Sequence, residues 1–336
     1  MTFRLLISLG ALGLTLAAQD SKAPAKTPPS SKSRNWSVPR TADGHPDLQG
    51  TWTNATLTPM DRPAAFTGKA TVTDAEAREY EKKDLATNDI DREDAPILKA
   101  INGANAVGGY NNLFIDRGSE LARVDGVKRT SLIVDPPDGK VPPMTDAART
   151  RLAAAMRNYN KYDAVKDRPL AERCIVGFGS TSGPPMIPAL YNSNYQIVQT
   201  PDSVMILVEM VHDVRVIRMN ATHQPKSVQK WLGDSVGHWE GDTLVVDTTN
   251  FNDQTAFRGT AENLHVVERF SRVDANTLLY RATIDDPTTF TKSWTMEYPF
   301  VATPGPIFEY ACHEGNYAMP DILGGARKSD GASGSK

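Results

Sequence analysis

Four polar clusters carry the side chains in this sequence with the chemistry to move protons or hold a ligand. The densest is Glu309-Tyr310-Ala311-Cys312-His313-Glu314-Gly315-Asn316-Tyr317, where an imidazole stands beside a carboxylate at a Gly bend. Such a pair suits general acid/base work or half of a metal site. It lacks the helical spacing of a zinc-protease motif, so the metal signal is poor and no metal is expected. Glu209-Met210-Val211-His212-Asp213 sets a second imidazole next to a carboxylate at the end of a strand, although neighbours on a strand point to opposite faces. His265 follows Glu262-Asn263-Leu264, with Arg258 upstream. It shares a strand face with Val267 and Arg269, and that face points either into a polar cavity or out to water. Glu268 falls on the opposite face. His238-Trp239-Glu240-Gly241-Asp242 reads as a solvated hairpin tip.

What is missing narrows the chemistry. Gly177-Phe178-Gly179-Ser180-Thr181 lacks the Gly-x-Ser-x-Gly elbow of a serine hydrolase. The sequence has no phosphate-cradling loop, dinucleotide fingerprint or CxxCH haem site, so no cofactor is expected. A net charge of −3 argues against nucleic acid as a partner.

The elements that must position these residues are mostly strands. From Tyr191 the hydrophobic period is two. Tyr195–Thr200 meets Val204–Glu209 across a Pro-Asp-Ser turn, and Val214–Met219 follows. Val236–Trp239 and Thr243–Thr248 flank Glu240-Gly241-Asp242. Leu264–Arg272 and Thr277–Asp285 form the next hairpin, and Thr291–Pro299 closes the series. Leu278, Tyr280, Ala282 and Ile284 give one apolar face, opposite Thr277, Arg281, Thr283 and Asp285. Regular strands on short turns predict an antiparallel meander, and about eight of them close a barrel with room for a small ligand.

The first half is mixed. Asp47–Trp52 reads as a first strand. Thr73-Asp74-Ala75-Glu76 is a capping box that predicts a helix from Asp74 to about Lys83. Gly103–Asn112 is loop material. Arg129–Val134 reads as a strand stopped by Asp135-Pro136-Pro137-Asp138-Gly139. Thr145 caps a second helix on which Leu152, Met156 and Tyr159 repeat at i, i+4 and i+7. Gly179–Pro185 is a loop of small residues, with Tyr191-Asn192 beyond it.

Compartment and domain limits follow from the ends. Met1–Arg4 is basic, Leu5–Leu16 is an apolar run too short to span a bilayer, and Ala17-Ala18 offers a cleavage site. This is the layout of a signal peptide over residues 1–18, and no later stretch is apolar enough for a membrane helix. Residues 19–35 and 326–336 are rich in Pro, Ser, Lys and Gly and read as disordered. The folded unit is a single β-rich domain over residues 36–325. Its only cysteines, Cys174 and Cys312, form either one disulfide or two separate buried thiols.

Trp36–Trp52 (WSVPRTADGHPDLQGTW), Arg129–Pro142 (RTSLIVDPPDGKVP), Gly233–Asn252 and Glu309–Tyr317 (EYACHEGNY) together resemble an uncharacterised group of exported bacterial proteins. That resemblance implies no activity. Gly50-Thr51-Trp52 ahead of a β-meander is also similar to the first strand of lipocalin-like barrels, although the helices and loops from Pro59 to Leu190 depart from a compact lipocalin.

The expected protein is therefore a mostly β, lipocalin-like barrel with a few helices in its N-terminal half, secreted or periplasmic, binding a small, partly apolar ligand in the barrel cavity. Tyr191, Asn192, Glu209, Arg258, Trp294 and Tyr310 are the ligand-binding candidates, with Met296 and Tyr298 beside Trp294 on the inner face. The alternative is a hydrolase, lyase or isomerase using His212, His265, His313 and Glu314 gathered at the barrel mouth. Export is checked by the intact mass of protein recovered from the periplasm or medium. Cleavage near Ala17 or Ala18 is expected, and a species beginning at Met1 contradicts it.

Overall fold

The computed structural model describes residues 36–89, 91, 112–158, 161–177, 181–254, 257–312 and 317–333. The leader, the linker, nearly all of the Gly103–Asn112 stretch, Tyr159, His313 and Glu314 lie outside the described residues. The order of elements is β1 (Gly50–Thr53), β2 (Thr71–Val72), α1 (Asp74–Thr87), β3 (Arg123–Val124), β4 (Val127–Arg129), β5 (Ile133–Asp135) and α2 (Asp146–Asn158). Then come β6 (Asn194–Gln199), β7 (Ser203–Val208), β8 (Val214–Met219), β9 (Asp234–Glu240), β10 (Thr243–Thr249), β11 (His265–Asp274), β12 (Thr277–Asp285), β13 (Trp294–Ala302) and α3 (Ala318–Ser333).

The helix starts follow from local chemistry. Thr73 accepts from the Glu76 amide while Glu76 reaches back to the Thr73 amide, so the predicted capping box is formed. Thr145 Oγ1 likewise accepts from the Ala148 amide at 3.1 Å. The apolar stripe expected on α2 is not its buried face: Ala148 is buried, whereas Met156 is 63% exposed. α3 runs through Ser333, into the stretch from Ala326 whose composition reads as disordered, and Leu323 is its buried residue.

Nine strands close into a barrel in the order β1-β6-β7-β8-β9-β10-β11-β12-β13, with β13 returning to β1 through Trp52↔Ala302 and Thr53↔Val301. The antiparallel meander holds at eight of the nine pairings. The exception is β8–β9, which is parallel at Arg218↔Val236 and Met219↔Gly237. Parity requires it: around a closed ring, strand direction must reverse an even number of times, so nine strands cannot all be antiparallel. Residues 220–233 make the crossover that a parallel pair needs. Asp234 locks this crossover, accepting from Arg218 Nη2 at 2.8 Å, the Gln224 amide at 2.9 Å and Lys230 Nζ at 2.8 Å. Gly237 lets the two strands meet, since a Cβ there would lie 2.8 Å from Ile217.

The expected Arg129–Val134 strand is two strands. β4 joins a small sheet with β2 and β3, and β5 pairs with β13. Thr130 Oγ1 donates to the Lys69 carbonyl at 2.6 Å and Ser131 Oγ to the Ile133 carbonyl at 2.8 Å, drawing the chain out of one ladder and into the next.

Alternation sets the inward faces. Tyr195 and Ile197 of β6, Val204, Ile206 and Val208 of β7, and Leu244 and Val246 of β10 belong to one core with Val266 and Phe270 of β11. The predicted apolar face of β12 joins them, as do Trp294, Met296, Tyr298 and Phe300 of β13. These aromatics leave little space between the walls, and a segment of chain takes the rest: every residue from Thr181 to Ile187 is buried.

Three tyrosines on the barrel wall hold that segment. Tyr195 Oη donates to the Thr181 carbonyl at 2.9 Å. Tyr298 Oη donates to the Met186 carbonyl. Tyr280 Oη accepts from the Met186 amide at 3.0 Å and donates to Glu268 Oε1 at 2.8 Å. Glu268 in turn takes both arms of Arg215, at 3.1 and 2.5 Å. Arg215 and Glu268 are 3% and 0% exposed, so an ion pair crosses the barrel interior from β8 to β11. Gly183 sits at positive φ against this pair, where a Cβ would lie 3.1 Å from Arg215 Nη1 and 2.5 Å from Met186.

Cys174 and Cys312 form a disulfide across 138 residues, with Cα atoms 5.7 Å apart. Closing a loop of that length contributes on the order of 5 kcal/mol in the chain-entropy picture. It ties the chain ahead of the buried segment to the irregular stretch that follows β13.

Candidate functional site

The ends of β1, β7 and β12 and the starts of β6, β8, β11 and β13 face one end of the barrel. A cleft of about 440 Å³ opens there, lined by Thr56–Met60, by Tyr80 and Asp84 of α1, by Arg117 and Leu132, and by Thr181 and Ile187–Leu190. Its walls are local products of the fold. Residues 56–60 continue from β1 and bond to the start of β5, with the Leu132 amide donating to the Pro59 carbonyl at 2.9 Å. Residues 187–190 lead the buried segment out of the barrel and into β6.

Most of the lining is apolar. Thr56 and Thr58 have their hydroxyls engaged with each other at 3.2 Å, and Thr58 also accepts from the Ala122 amide at 2.6 Å. Thr181 Oγ1 is buried and has no partner among the described residues. The polar end is Asp84 with Arg117, whose Nη1 donates to Asp84 Oδ2 at 3.2 Å, and Tyr80 beside them. Burial, and then the Asp84 charge, push the Tyr80 phenol above its usual value, so it stays protonated.

None of the sequence-predicted site residues with a described position lines this cleft. Tyr191 and Asn192 follow immediately after its wall and are half-buried. Glu209 is buried and accepts from Asn194 Nδ2 at 2.6 Å. Trp294 is enclosed between Phe257 and Phe290, at ring distances of 5.9 and 5.7 Å. Arg258 is exposed. Tyr310 is half-buried, and its carbonyl accepts from His212 Nδ1 at 2.8 Å. His212 and Val211 both have positive φ, 44° and 60°, a strained pairing at the β7–β8 corner. The adjacent Asp213 accepts from Ser182 Oγ at 2.6 Å, and burial raises its pKa.

His265 faces outward, which settles the choice of faces for β11. It meets Asp247, which joins it to His223, and sequence reasoning passed over both. Asp247 accepts from His265 Nε2 through one oxygen and from His223 Nε2 through the other, each at 2.9 Å. His223 Nδ1 lies 3.3 Å from Asp234, so this cluster runs into the crossover lock. Burial pushes Asp234 up, but hydrogen bonds from Lys230 and Gln224 and the charges of Lys230 and Arg218 outweigh it and hold the carboxyl at about 2. Among the described residues no hydrogen bond or ion pair joins His212 to His265. The only sequence signal for the Asp247 cluster was its place on the face of β10 shared with Thr243 and Thr249, directly across from Val267 and diagonal to His265 on β11.

No protein-family model matches this chain, and no curated protein matches it. The barrel is consistent with the likeness to lipocalin-like proteins, and the wider resemblance carries no family assignment.

The hydrogen bond to Asp247 raises the pKa of His265, and the same bond lowers that of Asp247. A raised imidazole stabilises the fold fully below its unfolded value of 6.5 and loses that contribution as pH rises through the folded value. A depressed carboxylate contributes above its unfolded value of 3.8 and loses it as pH falls through the folded one. The pair therefore contributes fully between those two values. Following His265 by NMR in Asp247→Asn should show its midpoint falling toward roughly 6.5. An unchanged midpoint would show that Asp247 is not the cause.

Proposed function

We propose that this is an exported protein that binds a small, largely apolar molecule in the cleft at the barrel mouth. The observation that carries the reading is the cleft itself. About 440 Å³ lies within the range of small-molecule sites, and Leu57, Pro59, Met60, Leu132, Ile187 and Leu190 give it apolar walls, with a charged pair, Asp84 and Arg117, among its polar lining. The barrel cavity expected from sequence is filled by aromatic side chains and by the Thr181–Ile187 segment, so the ligand site moves from the lumen to the rim. The signal-peptide layout and the disulfide support an oxidising compartment outside the cytoplasm.

N-phenyl-1-naphthylamine, a neutral apolar fluorophore, tests this. It should bind saturably at one site, and Thr56→Trp, which adds an indole to the cleft lining, should weaken binding at least about tenfold in protein that still melts cooperatively. Absence of saturable binding, or binding indifferent to Thr56→Trp, contradicts the reading.

Catalysis at the same mouth is the second reading, favoured by the strained backbone at Val211 and His212, since strain of this kind gathers at functional sites. It assigns proton transfer to His212 with His313 and Glu314, leaving His265 on the outer wall. Mass spectrometry of a bound molecule after incubation separates the two. Recovery unchanged supports binding, whereas conversion that is lost in His212→Ala supports catalysis.

A further inference from the structure

We infer that the cleft selects neutral molecules carrying a hydrogen-bond acceptor such as an amide, ester or ketone carbonyl, and discriminates against carboxylates. This rests on the ligand-binding reading above and names the class of ligand. The cleft has one polar end, and its balance of charge and donors is specific. Arg117 and Asp84 are about four-fifths buried and pair with each other, so their charges cancel. Asp84 Oδ1 also accepts from Asn88 Nδ2 at 3.0 Å.

Arg117 has donors to spare. A guanidinium carries five N–H groups, and among the described residues Arg117 makes one hydrogen bond, to Asp84 at 3.2 Å. The Tyr80 hydroxyl beside it makes no hydrogen bond among the described residues and stays protonated. The polar end therefore presents unfilled donors and no net positive charge. Asp84 also sits in the last turns of α1, where the helix dipole adds partial negative charge.

These facts sort ligand classes. A neutral carbonyl accepts from Arg117 or Tyr80 while its apolar body covers Leu57, Met60, Leu132, Ile187 and Leu190. A carboxylate would accept the same bonds, but its charge would be buried against Asp84 with the Arg117 charge already matched. An ammonium brings donors where donors are already in surplus and faces Arg117.

Three probes with one apolar body test this by calorimetry at pH 7: 1-naphthaleneacetamide, 1-naphthaleneacetate and 2-(1-naphthyl)ethylammonium. The amide should bind at least about tenfold tighter than either ion. Arg117→Met removes the donors and leaves the Asp84 charge unmatched, so the amide should weaken at least about tenfold while the ammonium gains relative to it. Asp84→Asn leaves the Arg117 charge unmatched and should shift selectivity toward the acetate at least about tenfold, a gain that simple damage to the fold does not produce. Binding of the acetate as tight as the amide in the unaltered protein, or selectivity unmoved by Asp84→Asn, overturns the assignment and leaves the cleft as an unselective apolar site. If no probe binds, including N-phenyl-1-naphthylamine, the ligand-binding reading fails with it.

Discussion

The ion pair between Arg215 and Glu268 constrains the rest of the structure. Two charges this deep survive only with close geometry and satisfied lone pairs, because desolvation otherwise exceeds their attraction. Here both guanidinium arms meet both carboxylate oxygens, and Tyr280 supplies a further donor. Burial alone would pull the Arg215 pKa down, but the Glu268 charge and hydrogen bonds more than restore it. Removing one partner leaves an unmatched buried charge, a loss on the order of 3–5 kcal/mol in comparable pairs. The pair also reaches beyond itself. Through Tyr280 it fixes the Met186 amide, and through Met186 it fixes the chain that fills the barrel.

That filled interior decides where function can sit. An eight- or nine-stranded barrel has room for one small ligand or for side chains, not both. In this chain the lumen holds Tyr195, Tyr280, Tyr298, Phe270 and Phe300 together with residues 181–187, all buried. The segment's exit, residues 187–190, becomes one wall of the mouth cleft, and α1 becomes another. Neither the lock on Asp234 nor the disulfide lines the cleft. One holds the single parallel pairing that an odd strand count demands, and the other holds the chain that enters the barrel.

Much of the scaffold was legible because its causes are local. The Thr73–Glu76 capping box involves four consecutive residues, and the turn at Gly241, with φ of 57°, needs little more than its own neighbours. The period-two pattern of β12 survived because one face meets the core and the other water. The site was less legible because its causes are not local. Gly179–Pro185 read as a loop, since Gly and two prolines look the same in a connector as in a buried plug. Glu268 was placed on the face opposite His265, as it is, but nothing nearby said that this face was the interior or that Arg215 waited across it. Asp84, Arg117 and Leu190 are brought together by folding alone, and no short motif marks them.

Native-state hydrogen exchange at the Met186 amide tests most directly whether residues 181–187 belong to the core. If the Arg215–Glu268–Tyr280 network holds the segment, this amide should exchange only through global unfolding, with the same opening free energy as the central amides of β12. Exchange as fast as that of exposed turn amides, while β12 stays protected, would show that the segment opens on its own, and the lumen would then be available to a ligand.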